Sequence, residues 1–312
     1  MKMRLMEGGM TLLLIAVVAL PFFGFAKGGD KIYVDKDASG TQNGSSKHPY
    51  KTISQATKKA DKGDEVVVSS GTYKERVTLP RGVKLSGSGK TKTIIKSDDK
   101  EDAVIEMKDN SKVWGVTVED GRMGIYVTEN AKAEIIEVRV RNNRRDGIFI
   151  ENGERTDKER VSIVKSEITG NGWSGVYSQK RKLVVSDSSI QSNKRNGIML
   201  AAGTRAWIDD NAISGNDYSG MALTLDGSDI TVASKNSIRK NGREGIEVSG
   251  FGATGSIVVK KTRIAENDHY GVARLSKAKN MPASLWNGLV LQKDILFSGN
   301  AAGNISPIAR AF

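Results

Sequence analysis

One nine-residue pattern recurs along this chain and limits what it can fold into. It reads apolar-x-x-Asn-x-x-x-Gly-apolar. Copies start at Val140, Ile168, Ile190, Ile213, Ile238 and Ile264, with Asn143, Asn171, Asn193, Asn216, Asn241 and Asn267 and with Gly147, Gly175, Gly197, Gly220, Gly245 and Gly271. An earlier copy carries Asp120 in the Asn place before Gly124, and a degenerate late copy is Phe297 with Asn300. Successive glycines are 23, 28, 22, 23, 25 and 26 residues apart, a period that belongs to stacked repeats.

Each copy holds short runs of alternating apolar residues, such as Val161-Ser162-Ile163 and Ile257-Val258-Val259, then Gly-apolar-x-apolar. Such runs are strands of three to five residues. Between Val66 and Val272 no run has the 3.6-residue period of a helix. A coil of short strands cannot bury its apolar face alone, and stacking buries it. The pattern therefore predicts a parallel β-solenoid. A leucine-rich horseshoe has a similar period but needs Leu-x-x-Leu-x-Leu, which is absent. The recurring Asn is expected to form a ladder of side-chain amides inside a turn. The recurring Gly is expected to hold a backbone conformation closed to other residues.

Lys2 and Arg4 precede an apolar run over residues 10–25, too short for the ~20 residues of a spanning helix. Small residues at Gly24 and Ala26 then suit a cleavage point. Residues 1–26 read as a secretory signal peptide and 27–312 as the mature domain, with no membrane span after cleavage. A retained N-terminal anchor is the alternative. The chain has no Cys, which excludes disulfides and thiolate metal sites, and only two His. Export without disulfides suits a bacterial protein, secreted or in the cell envelope.

The N-terminal segment reads Ile32-Tyr33-Val34-Asp35, then Gly44-Ser45-Ser46-Lys47-His48-Pro49-Tyr50-Lys51-Thr52-Ile53, Gly63-Asp64 and Gly71-Thr72-Tyr73. With the repeat, it makes the chain resemble the right-handed parallel β-helix superfamily, the pectate-lyase-like fold, over nearly the whole mature length. The resemblance implies an all-β, single right-handed parallel β-helix with a short N-terminal capping helix. Residues 27–65 would be the strand and helix cap and 66–312 the rungs. It implies no single activity, since that superfamily includes lyases, hydrolases, epimerases and non-catalytic binders. Thr52-x-x-Gln55 is a capping box, and Ile53, Ala56 and Ala60 share a helix face that would plug the first rung. Residues 151–160 read as a charged loop. Residues 274–288, with Pro282 and Trp286, read as a cap on the C-terminal end, with an overhang on a groove as the alternative. His48 reads as a structural turn residue.

Several motifs fail. Gly87-Ser88-Gly89-Lys90-Thr91 lacks the earlier Gly of a phosphate loop, because Lys84 stands there. Gly250-Phe251-Gly252-Ala253-Thr254-Gly255 matches a dinucleotide pattern but is followed by a strand. No Gly-x-Ser-x-Gly occurs, and the superfamily's Asp-Pro-His, Gly-His-Gly and Arg-Ile-Lys signatures are absent. Two His, no Cys and few Met also argue against the related copper-maturation proteins.

The position two after each Asn reads Arg122, Arg145, Trp173, Arg195, Tyr218, Arg243 and His269, all cationic, aromatic or imidazole. Stacked at about 4.8 Å per coil, these seven form a solvent-facing stripe of about 29 Å. Flat rings stack on sugars, and Arg forks grip carboxylates at two points. The expected partner is a polysaccharide, above all an acidic one, and no nucleic acid is expected. A second ladder, three residues before the first apolar position, reads Glu137, Lys165, Asp187, Asp210, Lys235, Lys261 and Asp294. Its mixed signs suggest charge pairs on an exposed face. Asp187, Asp209 and Asp210 are the candidate catalytic carboxylates should the protein be a polysaccharide lyase or glycoside hydrolase. No resident metal is expected. Only the lyase alternative would call for Ca²⁺, which lyases of this fold hold with carboxylates beside an Arg or Lys base. A non-catalytic adhesin or spacer is a further alternative.

Overall fold

The computed structural model describes residues 29–97, 101–276 and 283–310, so the expected signal peptide over residues 1–26 and Pro282 lie outside the described residues. The chain winds as a parallel β-solenoid. Among the described residues, three sheets of 11, 10 and 10 strands run along the solenoid, each coil adding one strand to each sheet in turn. One coil shows the scheme: Lys182–Ser186 in the first sheet, Ser189–Gln191 in the second, Ile198–Leu200 in the third. The next coil repeats it in register, Leu183 beside Ala206, Ile190 beside Ile213 and Ile198 beside Met221. Alternate residues of each short strand point inward. The first apolar residue of the repeat and the one after its Gly are fully buried, as with Ile168 and Val176, or Ile190 and Ile198.

The N-terminal end is closed as expected. Helix Ile53–Thr57 opens on the Thr52–Gln55 capping box and buries Ile53 and Ala56. The Glu75 carboxylate accepts the Ile53 and Ser54 amides at 2.8 Å each, satisfying two helix-start donors from the first coil. Strand Lys31–Val34, before the helix, pairs in parallel with Glu65–Val68 and extends the first sheet. His48 shapes a turn through its backbone, its carbonyl accepting the Asn43 and Gly44 amides.

At the other end, Leu285 and Trp286 of the 3-10 turn Ala283–Gly288 are buried against the last coils, the packing a cap requires. The 151–160 loop contains one short 3-10 turn, Asp157–Glu159. Behind it the buried Arg181 guanidinium donates to the carbonyls of Thr128, Ala131, Asn152 and Glu159, tying three coils together at the corner between third and first sheets. No helix among the described residues is long and apolar enough to cross a membrane.

Candidate functional site: the corner between the second and third sheets

In the five coils whose second-sheet strands run from Arg139–Arg141 to Ser237–Arg239, six residues turn the chain into the third sheet. The first takes a left-handed backbone, φ 56° at Asn142 and 55° at Ser192. The second is the repeat Asn, pointing inward. Each Asn donates its side-chain and backbone N–H to the Oδ1 of the next, from Asn143 to Asn171 (2.9 and 3.2 Å), through Asn193, Asn216, Asn241 and Asn267, to Asn300. The ladder is continuous, as the repeat predicts.

Two expectations change. Asp120 does not stand in the ladder. It holds the left-handed position, φ 68°, and Gly121 takes the Asn place and donates to Asn143 Oδ1 at 3.1 Å. That turn has only three residues, 120–122, so Asp and Asn align in the sequence but not in space. The recurring Gly is not there for a positive φ; none of Gly147, Gly175, Gly197, Gly220, Gly245 or Gly271 has one. It is there for space. A Cβ at Gly197 would meet Gly220 O at 2.6 Å, Ile213 Cγ2 at 2.7 Å and Asn216 Nδ2 at 2.9 Å. The ladder and the next coil press on that Cα.

The outward residues of the turn carry the stripe. Its backbone is a ladder of its own, with Arg145 N–H donating to Arg122 O, Trp173 N–H to Arg145 O, and so on through Arg195, Tyr218, Arg243 and His269. All seven predicted residues are therefore in register. Their side chains divide. The Arg145 guanidinium lies 3.7 Å from the Trp173 ring centroid and that of Arg195 4.3 Å, one from each neighbouring coil. Arg243 lies 4.9 Å over Tyr218. The expected free face of Trp173 is thus covered by cations, and the ring acts as a spacer that orients them. Arg122 is drawn aside, donating to Glu101 O at 3.0 Å. His269 Nδ1 sits 3.3 Å from Glu244 Oε1. Among the described residues, Arg145, Arg195 and Arg243 have no carboxylate within ion-pair distance, whereas Arg139–Glu167 and Arg141–Glu119 close at 2.6 and 2.7 Å.

Two features escape the sequence reading. Asp146, beside Arg145, is 2% exposed and accepts Ser174 N–H at 3.1 Å. Burial pushes its carboxyl up to about 6, against the opposing pull of that hydrogen bond and of Arg145 and Arg195. Asn196 fills the same role two coils on, accepting Ser219 N–H. The outer face of the third sheet also carries a stack, Tyr126, Phe149 and Tyr177, with centroids 5.9 and 5.0 Å apart. The signal was present in the residue between the two apolar ones after each Gly, as in Ile125-Tyr126-Val127 and Ile148-Phe149-Ile150.

The candidate carboxylates lie elsewhere, at the two-residue corner between first and second sheets. Asp187 and Asp210 hold its left-handed position, φ 50° and 53°, as do Glu137, Lys165, Lys235 and Lys261. Asp209 is beside them, its carboxyl raised by burial and by the charges of Asp210 and Asp187. Lys235 approaches Asp210 at 3.9 Å. Among the described residues no three His, Asp or Glu side chains are grouped to hold a metal ion.

Fold and ladders define a parallel β-helix of coils pinned by internal amides. The chain belongs to the family described as right handed beta helix region, whose model matches residues 123–283, just over half of its 312 residues. Among solved structures it is similar to pectate lyase Pel9A, with TM-score 0.57 and 14% identity over 90% of this chain and 78% of that one. It is also similar to the A-module of Azotobacter vinelandii mannuronan C-5 epimerase AlgE4, with TM-score 0.50 and 16% identity over 89% and 99%. ORF18 of Geobacillus virus E2 aligns with TM-score 0.60 and 14% identity over 90% and 60%. Identities this low show the shared fold alone. No curated protein matches the chain.

Proposed function

We propose that this is an exported, single-domain β-helix protein that binds acidic polysaccharide along the corner between its second and third sheets, outside the cell or at its envelope. The observation that carries the reading is the row of guanidiniums at Arg145, Arg195 and Arg243, none with a carboxylate within ion-pair distance among the described residues, packed on Trp173 and Tyr218. A guanidinium with no carboxylate at contact distance offers a two-point donor set to an external one. Two structural relatives are named for pectate and mannuronan, both acidic polymers. The test is retention of residues 27–312 on immobilised acidic polysaccharides across a salt gradient, with neutral dextran as control. The wild type should be retained, and the Arg145→Ala/Arg195→Ala/Arg243→Ala variant should elute with the void at unchanged Tm. Equal retention of the two proteins, or displacement by single-stranded DNA at lower charge concentration than by polysaccharide, would sink the reading.

A catalytic reading has one observation in its favour, the gathering of Asp187, Asp209 and Asp210 with Asp209 raised. Unsaturated-uronate absorbance and reducing-end release, followed with and without Ca²⁺ on the same polymers, test it. Turnover lost in Asp209→Asn would move the centre of function to that corner.

A further inference from the structure

The stripe alternates. Once Arg122 is diverted to a backbone carbonyl and His269 to Glu244, what remains is Arg145, Trp173, Arg195, Tyr218, Arg243. These five positions span four coil intervals, about 19 Å, and cations recur every second coil, about 9.6 Å. The backbone ladder fixes the spacing, and the ring contacts hold the guanidiniums against Trp173 and Tyr218. The neighbouring outward position puts no cation on the ring coils, with Gly172 beside Trp173 and Asp217, paired with Lys194 at 3.4 Å, beside Tyr218.

We propose that the stripe selects a linear polysaccharide carrying one carboxylate or sulfate per disaccharide, with a neutral sugar between charged ones. An extended chain of pyranoses advances by roughly a two-coil length per disaccharide. One acidic group per disaccharide therefore falls on each Arg, and the neutral sugar lies against the edge of Trp173 or Tyr218. A homopolyuronate presents a carboxylate at every sugar. Half of its charges would lose water against an aromatic edge with no donor to replace it, a cost that the alternating polymer avoids.

The inference rests on the polysaccharide reading above, and its test separates the two. Hyaluronan oligosaccharides, with one carboxylate per disaccharide, are compared with polygalacturonate oligosaccharides of equal length by titration calorimetry at one ionic strength. Hyaluronan is expected to bind about tenfold tighter, counted per carboxylate. Equal affinity, or preference for polygalacturonate, overturns the alternation while leaving polysaccharide binding intact. Binding to neither overturns both. In the Trp173→Arg/Tyr218→Arg variant every coil carries a cation, so the preference is expected to reverse. An unchanged preference in that variant, at unchanged Tm, also overturns the proposal.

Discussion

The two corners flanking the second sheet start alike and end differently. Both open on a left-handed residue followed by an inward polar side chain that accepts an amide from the preceding coil. At the first corner Ser166, Ser188, Asn211 and Asn236 form that ladder, Ser166 N–H donating to Ser188 Oγ at 3.1 Å and Ser188 N–H to Asn211 Oδ1 at 3.1 Å. At the second corner every rung from Asn143 to Asn300 is Asn. The first corner then re-enters a strand at once. The second runs on for four more residues, and there the guanidiniums of Arg145, Arg195 and Arg243 gather on the rings of Trp173 and Tyr218. The ladder shapes the coil, and extra length beyond it supplies a surface for chemistry.

The sharpest break in this comparison is expected at Gly197. Its Cβ would strike backbone and ladder, so Gly197→Ala should cost upwards of about 3 kcal/mol or prevent folding, read from urea midpoints. Gly215→Ala, in the same corner but with only Ser192 Oγ at 3.8 Å, should lose about 1 kcal/mol for its φ of 62°. Similar losses at both sites would refute the spatial account of the recurring glycine.

Next in size come the ladders. Asn193→Ala strands the Asn171 amide and side-chain N–H inside the coil and should cost about 3 kcal/mol. Ser188→Ala strands one amide, Ser166 N–H, and should cost about 1–2 kcal/mol. A reversed order would mean that the first corner, not the second, pins the coil.

Asp146→Asn should stabilise the protein by about 2 kcal/mol at pH 7. The folded carboxyl titrates near 6 and the free one near 3.8, so the buried charge burdens the fold above pH 6. That burden falls as pH drops through the window and is gone below 3.8. The gain should vanish there, as thermal unfolding at pH 3.5 would show. A gain independent of pH would place its origin outside the titration.

The smallest effect belongs to the first corner's surface. Asp210→Asn removes one repulsion from Asp209 and weakens a long pairing with Lys235, and should change stability by less than about 0.5 kcal/mol. Polysaccharide retention should not change. Lost retention would put both corners in one site.

Much of this molecule is legible from residue order alone. The Asn and Gly spacing specifies a stacked coil because an amide ladder needs the same residue at each turn, and Ile168, Ile190 and Ile213 mark the core because a buried strand position accepts little else. The first-corner ladder is harder to read, since any small group that accepts one N–H will serve. Sequence also placed Arg145, Trp173, Arg195, Tyr218 and Arg243 in one line, since register follows from the repeat. Only the tertiary structure decided which cations on that line are free. Pairing depends on where long side chains meet carbonyls and carboxylates of other coils, Arg122 with Glu101 and His269 with Glu244, and those partners lie 21 and 25 residues away in the chain.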